Sequence, residues 1–241
     1  VFVNYFTKYK IEIMKWKIIN EIVKTAKEYG MVVAAHAHGK EGMKRAIKAG
    51  VQTIEHGSFM DKETALLMKQ YNTYLVPTLS AGRFVEEKAK IPNYYPPIIL
   101  PKIKSTVVVL KETFEMVRKE GVLIAFGTDA GVFPHGENAK EFGYMVEAGM
   151  SEIEAIQSAT ITNAKILKME RKLGQIAVGY IADIVATDED PTKNIKTMEL
   201  KDYYPKLIDK KIPLALLDVE PRLYIAWKKA KLINNVITVN D

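Results

Sequence analysis

One unit recurs four times between about residues 15 and 130: an amphipathic helix, a glycine or asparagine, and a short apolar run. The first copy sets Ile18, Ile19, Ile22, Val23 and Ala26 at helical spacing over 17–28, followed by Gly30 and the run 31–35. The second has a helix at 42–48, Gly50 and the run 51–55. The third has a helix at 62–70, Asn72 and 73–76. The fourth, after a longer connection, has a helix at 105–119, Gly121 and 122–126. Glycine and asparagine suit these points because the residue that closes a helix takes a positive φ. Near-continuous apolar strands, each preceded by a helix, predict parallel strands covered by helices. The period of about 20 residues in the first three copies suits a (β/α)8 barrel. A doubly wound sheet is the alternative. Against it, the polar residues of interest end several successive strands instead of gathering at one switch point.

The long connection at 79–104 carries Arg83, Tyr94, Tyr95 and a concentration of proline, and reads as a lid-like loop. Two helices follow at 139–148 and 151–167. Gly149 ends the first, and Ser151 with Glu154 forms a capping box for the second. From Leu173 the character changes. LGQIAVGYIADIVATDEDP reads as strand, turn, strand in a small β-subdomain. Residues 222–227 and 231–239 supply two more strands with 228–230 as their turn, and 195–218 reads as a helix plus a linker. The expected division is a partial barrel over 1–170 and a β-sandwich segment with the C-terminal tail over 171–241.

Composition narrows the function. Of 241 residues, 48% are hydrophobic, enough for a sizeable core. There is no cysteine, which excludes disulfides and thiolate chemistry and fits a reducing cytoplasm. The net charge of +6 is dispersed. Its densest run, 8–17, is interleaved with Tyr9, Ile11, Ile13 and Trp16 and reads as a solvated helix face, so no nucleic-acid partner is expected. No apolar run approaches the roughly 20 residues of a spanning helix, and the first residues lack a signal-peptide pattern. A cytoplasmic chain without a membrane partner is the expectation.

Four histidines remain to be explained: His36 and His38 in VVAAHAHG, His56 in VQTIEHG, and His135 after FGTDAG. Histidine is the commonest metal ligand. His36 and His56 end neighbouring strands, which lie about 4.8 Å apart, so their imidazoles can meet at one ion. Asp129 ends a third strand. Imidazoles plus a carboxylate, with an open position for water, is the recipe of a catalytic zinc site. Asp129 can both ligate the metal and accept the proton of its water. His38 and His135 are candidate substrate contacts, and Arg83 a candidate for a substrate carboxylate.

The ordered set HAHG, AGVQTIEHG, YLVPTLSAG, FGTDAG, PHGEN and AT-x-x-NA-K-x-L resembles the amidohydrolase superfamily. More narrowly it resembles the imidazolonepropionase-like branch that includes Xaa-Pro dipeptidases and related carboxypeptidases. The similarity runs over about residues 18–192, and LGQIAVGYIADIVATDEDP is similar to the segment where that family's chain re-enters its β-sandwich. The resemblance implies that His36 is the metal ligand on the fifth barrel strand and His56 the ligand on the sixth. It implies that Asp129 is the ligand and general base on the eighth. Family members also carry His-x-His on the first barrel strand, and binuclear members a carboxylated lysine on the fourth. No His-x-His precedes His36 here, and Lys10 stands too close to His36 to match that lysine.

The expected fold is therefore the C-terminal half of a (β/α)8 barrel plus part of a β-sandwich: either the chain is a fragment, or the missing half is a separate piece, or the half-barrel pairs with another chain. Its open strand edges imply a homo-oligomer or association with the missing N-terminal half. The expected activity is hydrolysis of an amide bond in a dipeptide or N-acyl amino acid, with one or two zinc ions. A deaminase or cyclic-amide hydrolase of the same superfamily, and an inactive half-barrel with a structural or binding role, are the competing readings.

Overall fold

The computed structural model describes residues 2–5, 16–181, 183, 185, 187–199, 230–233 and 236–239. The chain divides into two compact units, 1–150 and 151–241.

In the first unit, strand β1 (Phe2–Tyr5) precedes helix α1 (Trp16–Glu28), and α/β units follow. These are β2 (Ala34–Gly39), α2 (Lys40–Ala49), β3 (Thr53–Phe59), α3 (Lys62–Tyr71) and β4 (Tyr74–Val76). The four strands form one parallel sheet in the order β1-β2-β3-β4. The run 122–126 joins its edge through a single parallel bridge: Leu75 N–H donates to Leu123 O at 2.9 Å and Ala125 N–H to Leu75 O at 2.8 Å. The parallel (β/α) arrangement expected from the repeat is the one observed. β1 was not foreseen, and Lys10 lies outside the described residues.

Helix ends follow the expected chemistry. Gly50 and Asn72 close α2 and α3 in the left-handed region, at φ 89° and 52°, and return their N–H groups to the last turn. α2 buries Gly42, Met43, Ala46 and Ile47, one stripe at helical spacing. The core under the sheet adds Ile19, Val23, Ile54, Met68, Leu75, Phe114 and Val117.

The region 79–104 differs from expectation. It is no lid-like loop but mostly helix: α4 (Leu79–Ala89), a 3-10 turn at Pro97–Ile99, and the start of α5 (Leu100–Lys119). Proline misled the reading. Pro97 and Pro101 sit in the first turns of their helices, where a missing N–H costs nothing. α5 packs on β3 and α4, and α4 packs on α6 (Lys140–Glu147).

Gly127 follows the edge run where the backbone passes close to β4. A Cβ there would lie 2.4 Å from Val76 Cγ1. Gly127→Ala is expected to destabilise the chain by about 1–3 kcal/mol, as overpacking does, measured by urea unfolding.

In the second unit Ser151 caps α7 (Glu152–Gln157) with both arms of the capping box in place. A π turn at Ser158–Thr162 continues into α8 (Asn163–Ile166). The expected strands in 173–192 are not seen among its described residues, which form turns and coil; Ala182, Ile184 and Ala186 lie outside them. A 3-10 turn spans Ile195–Met198 and is followed by Glu199; 200–218 lies outside the described residues, as does 222–227. Where one strand was expected over 231–239, two pair antiparallel, β5 (Ala230–Ile233) against β6 (Val236–Val239); Ala230, expected in the turn, is in β5, and 228 and 229 lie outside the described residues. Among the described residues no helix is long and apolar enough to cross a membrane.

Candidate metal centre

His36 and His38 lie within β2 and His56 within β3, while Thr78 and Asp129 follow the C-terminal ends of β4 and of the run 122–126. In β2, residues 34, 36 and 38 alternate with the buried Ala35 and Ala37, so both histidines share the less buried face. Register alone would put Glu55 of β3 beside His36, because His36 pairs with Glu55 and His56 with Ala37. The backbone overrules it. His56 has φ 70°, a left-handed conformation that turns its side chain back. Its Nε2 comes to 2.9 Å from His36 Nδ1, with ring centroids 4.4 Å apart. His38 stands 4.8 Å from the His36 ring and stacks on the His56 ring at 4.9 Å.

Thr78 and Asp129 also have positive φ, 51° and 56°. Such conformations cost of order 1–3 kcal/mol each; one falls within β3, one just beyond β4 and one just beyond the run 122–126. Strain is concentrated where side chains must be aimed.

Each histidine is held. His56 Nδ1 lies 2.6 Å from Thr78 Oγ1. His38 Nδ1 lies 2.9 Å from the hydroxyl of buried Ser58, whose carbonyl accepts from Thr113 of α5 at 2.8 Å. Burial keeps the rings neutral. It pushes His56 down to about 3, with the neighbouring His38 and His36 adding to the effect. It pushes His38 to about 4, with His36 and Lys102 adding. His36 is also lowered by burial, against an opposing pull from Asp129. Asp129 is exposed as a residue, yet partial loss of water raises its carboxyl, with His36 pulling it back. Glu55 is raised to about 7 by burial, partly offset by a hydrogen bond from Thr53 and reinforced by Asp129.

These shifts fix a pH dependence. Unfolded histidines take up protons near pH 6.5; folded His38 and His56 do so near 4 and 3. Between those values the unfolded chain binds more protons, so their contribution to stability is complete above about pH 6.5 and is lost as pH falls towards about 4 for His38 and about 3 for His56. In metal-free urea titrations, His38→Asn and His56→Asn are each expected to flatten the decline of stability across that window.

The donor set fits a divalent cation. The ligating atoms of His36, His38 and His56 lie within 4.8 Å of one another, all three imidazoles are neutral, and a carboxylate interacts with His36. Two imidazole nitrogens on one tetrahedral zinc lie roughly 3.3 Å apart, close to the spacing of His36 and His56 found here.

Sequence reasoning anticipated His36, His56 and Asp129, and the structure gathers the two histidines with Asp129 in electrostatic reach of His36. The ring of His38, expected as a substrate contact, lies 4.8 Å from that of His36 and 4.9 Å from that of His56. His135 is exposed on the loop after Asp129, outside the histidine cluster. Arg83 pairs with Glu147 at 3.1 Å and lies over the Tyr144 ring at 5.4 Å, both on α6. Three residues were missed: Thr78, Ser58 and Glu141. Glu141 is fully buried on α6 and accepts hydrogen bonds from the first residues of α4. Its signal was visible: Glu141 shares the helical spacing of buried Phe142 and Met145, a charge where the pattern calls for an apolar side chain.

Comparison with known proteins decides the family. The amidohydrolase family profile matches residues 16–209. The chain belongs to the amidohydrolase family. A solved Xaa-Pro dipeptidase with methionine bound in its active site is 54% identical, with a TM-score of 0.74, over 77% of this chain and 46% of that one. A prolidase complexed with N-methylphosphonate-L-proline is 33% identical, TM-score 0.69, over 77% of this chain and 45% of its own. The ochratoxinase of Aspergillus niger is 35% identical over 190 residues, 74% of this chain and 37% of that protein. This amidohydrolase chain thus spans less than half the length of each of these three relatives. The superfamily expected from the motifs is the one found, and with it the α/β, TIM-type fold class. Amidohydrolases generally use a divalent metal, and the histidine triad is able to bind one.

Proposed function

We propose that this amidohydrolase cleaves the amide bond of a dipeptide or N-acyl amino acid by metal-assisted attack of water, with zinc as the metal. The observation that carries the reading is the convergence of His36 and His38 of β2 with His56 of β3. The 54% identity to an Xaa-Pro dipeptidase supports a dipeptide substrate.

His36 and His56 supply neutral imidazole donors and Asp129 a carboxylate; the His38 ligand atom lies within 4.8 Å of theirs. These residues would hold a zinc ion, which would supply Lewis-acid chemistry by lowering the pKa of a water towards 7 and polarising the substrate carbonyl. Asp129 takes the proton of the attacking water. As the carbon–nitrogen bond breaks, Asp129 returns that proton to the leaving amine. One water is consumed, and a carboxylate and an amine are released.

The test is a panel of Xaa-Pro dipeptides and N-acyl amino acids incubated with the zinc-loaded chain, with products separated by chromatography. Stoichiometric free amino acid without ammonia is expected. Ammonia release would instead assign the chain to the deaminating branch of the superfamily.

A further inference from the structure

Helix α4 starts immediately beyond the site, and its N-terminus is built in an unusual way. A threonine at the N-cap ordinarily turns its hydroxyl back onto the N–H groups of the first turn. Thr78 occupies that position but makes no such bond. Its hydroxyl is committed elsewhere. It donates to the Pro77 carbonyl at 2.8 Å and lies 2.6 Å from His56 Nδ1. A hydroxyl has one proton and two lone pairs. With that proton on Pro77, the His56 contact requires Nδ1–H to donate to Thr78. The lone pair of the neutral ring is then on Nε2, the nitrogen that faces His36 at 2.9 Å. Thr78 therefore fixes which nitrogen of His56 is available to a metal.

The cap that Thr78 leaves open is filled from α6. Glu141 is 0% exposed, and its two carboxylate oxygens accept from Leu79 N–H at 2.9 Å and Ser80 N–H at 2.7 Å. A buried carboxylate costs free energy unless it is fully hydrogen-bonded, and the positive end of a helix favours it. A simpler arrangement serves stability alone: Thr78 caps its own helix, and an apolar residue at 141 joins Phe142 and Met145 in the core. The chain instead buries an acid 62 residues further on to cap α4.

We propose that Glu141 is a positioning residue for His56: by holding the N-terminus of α4, it leaves the Thr78 hydroxyl on His56 and keeps His56 Nε2 available as a metal donor. The inference rests on the reading of His56 as a ligand. It extends the site from the histidines through Thr78 to α6.

The experiment is zinc affinity of the metal-stripped full chain, measured by competition with a chromophoric chelator. It is run on the wild type, Glu141→Gln, Thr78→Val, Thr78→Ser, the Glu141→Gln/Thr78→Val pair and His36→Ala. Melting temperatures and the nitrogen-15 signals of the His56 ring are recorded alongside. Glu141→Gln keeps the shape but turns an NH2 towards one of the two N–H groups. It is expected to weaken zinc by roughly tenfold, the low end of the 10–100-fold typical of groups that orient a ligating histidine. Thr78→Val should do the same, Thr78→Ser should restore affinity, and the double variant should be no weaker than the worse single one. The His56 Nδ1–H signal should weaken in Glu141→Gln. A Glu141→Gln chain with a lower melting temperature, unchanged zinc affinity and an intact His56 signal would overturn the inference, as would additive losses in the double variant. If Glu141→Gln does not fold, Glu141→Asp, which keeps the charge but is too short to reach both N–H groups, makes the same comparison. His36→Ala separates the two levels. If it leaves zinc affinity unchanged, the metal reading itself fails; if it abolishes zinc binding while Glu141 variants do not weaken it, only the positioning role fails.

Discussion

His56→Ala is expected to strip the chain of tightly held zinc and to lower amide hydrolysis by more than about 100-fold, beyond the 10–100-fold that follows when only an orienting partner is lost. The reason is geometric. His56 is the residue whose left-handed backbone brings two strands' imidazoles to a 2.9 Å approach. Alanine removes the donor and leaves His36 and His38 on one strand with no imidazole from β3 opposite them. Zinc per chain after dialysis, measured by elemental analysis beside the hydrolysis rate, checks this. A purely structural histidine would lower stability and leave zinc per folded chain unchanged.

Asp129→Asn carries the second large effect. General acid–base catalysis by a positioned side chain is worth about 10²–10⁴ in rate, and asparagine can neither accept the proton of water nor deliver it to the leaving amine. kcat is expected to fall by that factor. The amide oxygen remains a weak donor, so zinc affinity should fall far less than in His56→Ala. The pH profile separates the roles. Partial desolvation raises the Asp129 carboxyl above the ordinary carboxylate value. In the zinc-loaded enzyme an acid limb of the rate that belongs to Asp129 should vanish in Asp129→Asn. An acid limb that survives in the variant assigns the proton transfer to another group.

Much of the scaffold was legible because the signals were local. Gly30, Gly50, Asn72 and Gly121 announce helix ends by conformational permission, and all four have positive φ. The stripes of α1 and α2 announce buried faces. The strand boundaries were less legible, since β2 and β3 run on through the histidines to Gly39 and Phe59. A polar residue after an apolar run looked like the end of a strand, although its backbone was still paired. Prolines hid the helices of 79–104, because proline in a first turn and proline in a loop look alike without the backbone.

The site was legible as residue types and illegible as a mechanism of placement. His36, His56 and Asp129 stand out as strand-end chemistry. Nothing in VQTIEHG states that His56 adopts φ 70°, and strict alternation would have selected Glu55 as the partner of His36. Thr78 and Glu141 lay further out of view. One contributes a hydroxyl whose partner comes from another strand. The other acts across 61 and 62 residues on two backbone N–H groups, a relation that has no sequence spacing.

The central claim is that the histidine cluster is a metal centre on which amide hydrolysis depends. Returning zinc to the metal-stripped chain tests it most directly, with bound zinc and cleavage of an Xaa-Pro dipeptide followed in the same samples. The account predicts cleavage that starts from background, rises in step with bound zinc and saturates with it. Cleavage that persists without metal, or zinc that fills the chain with no gain in cleavage, would contradict it.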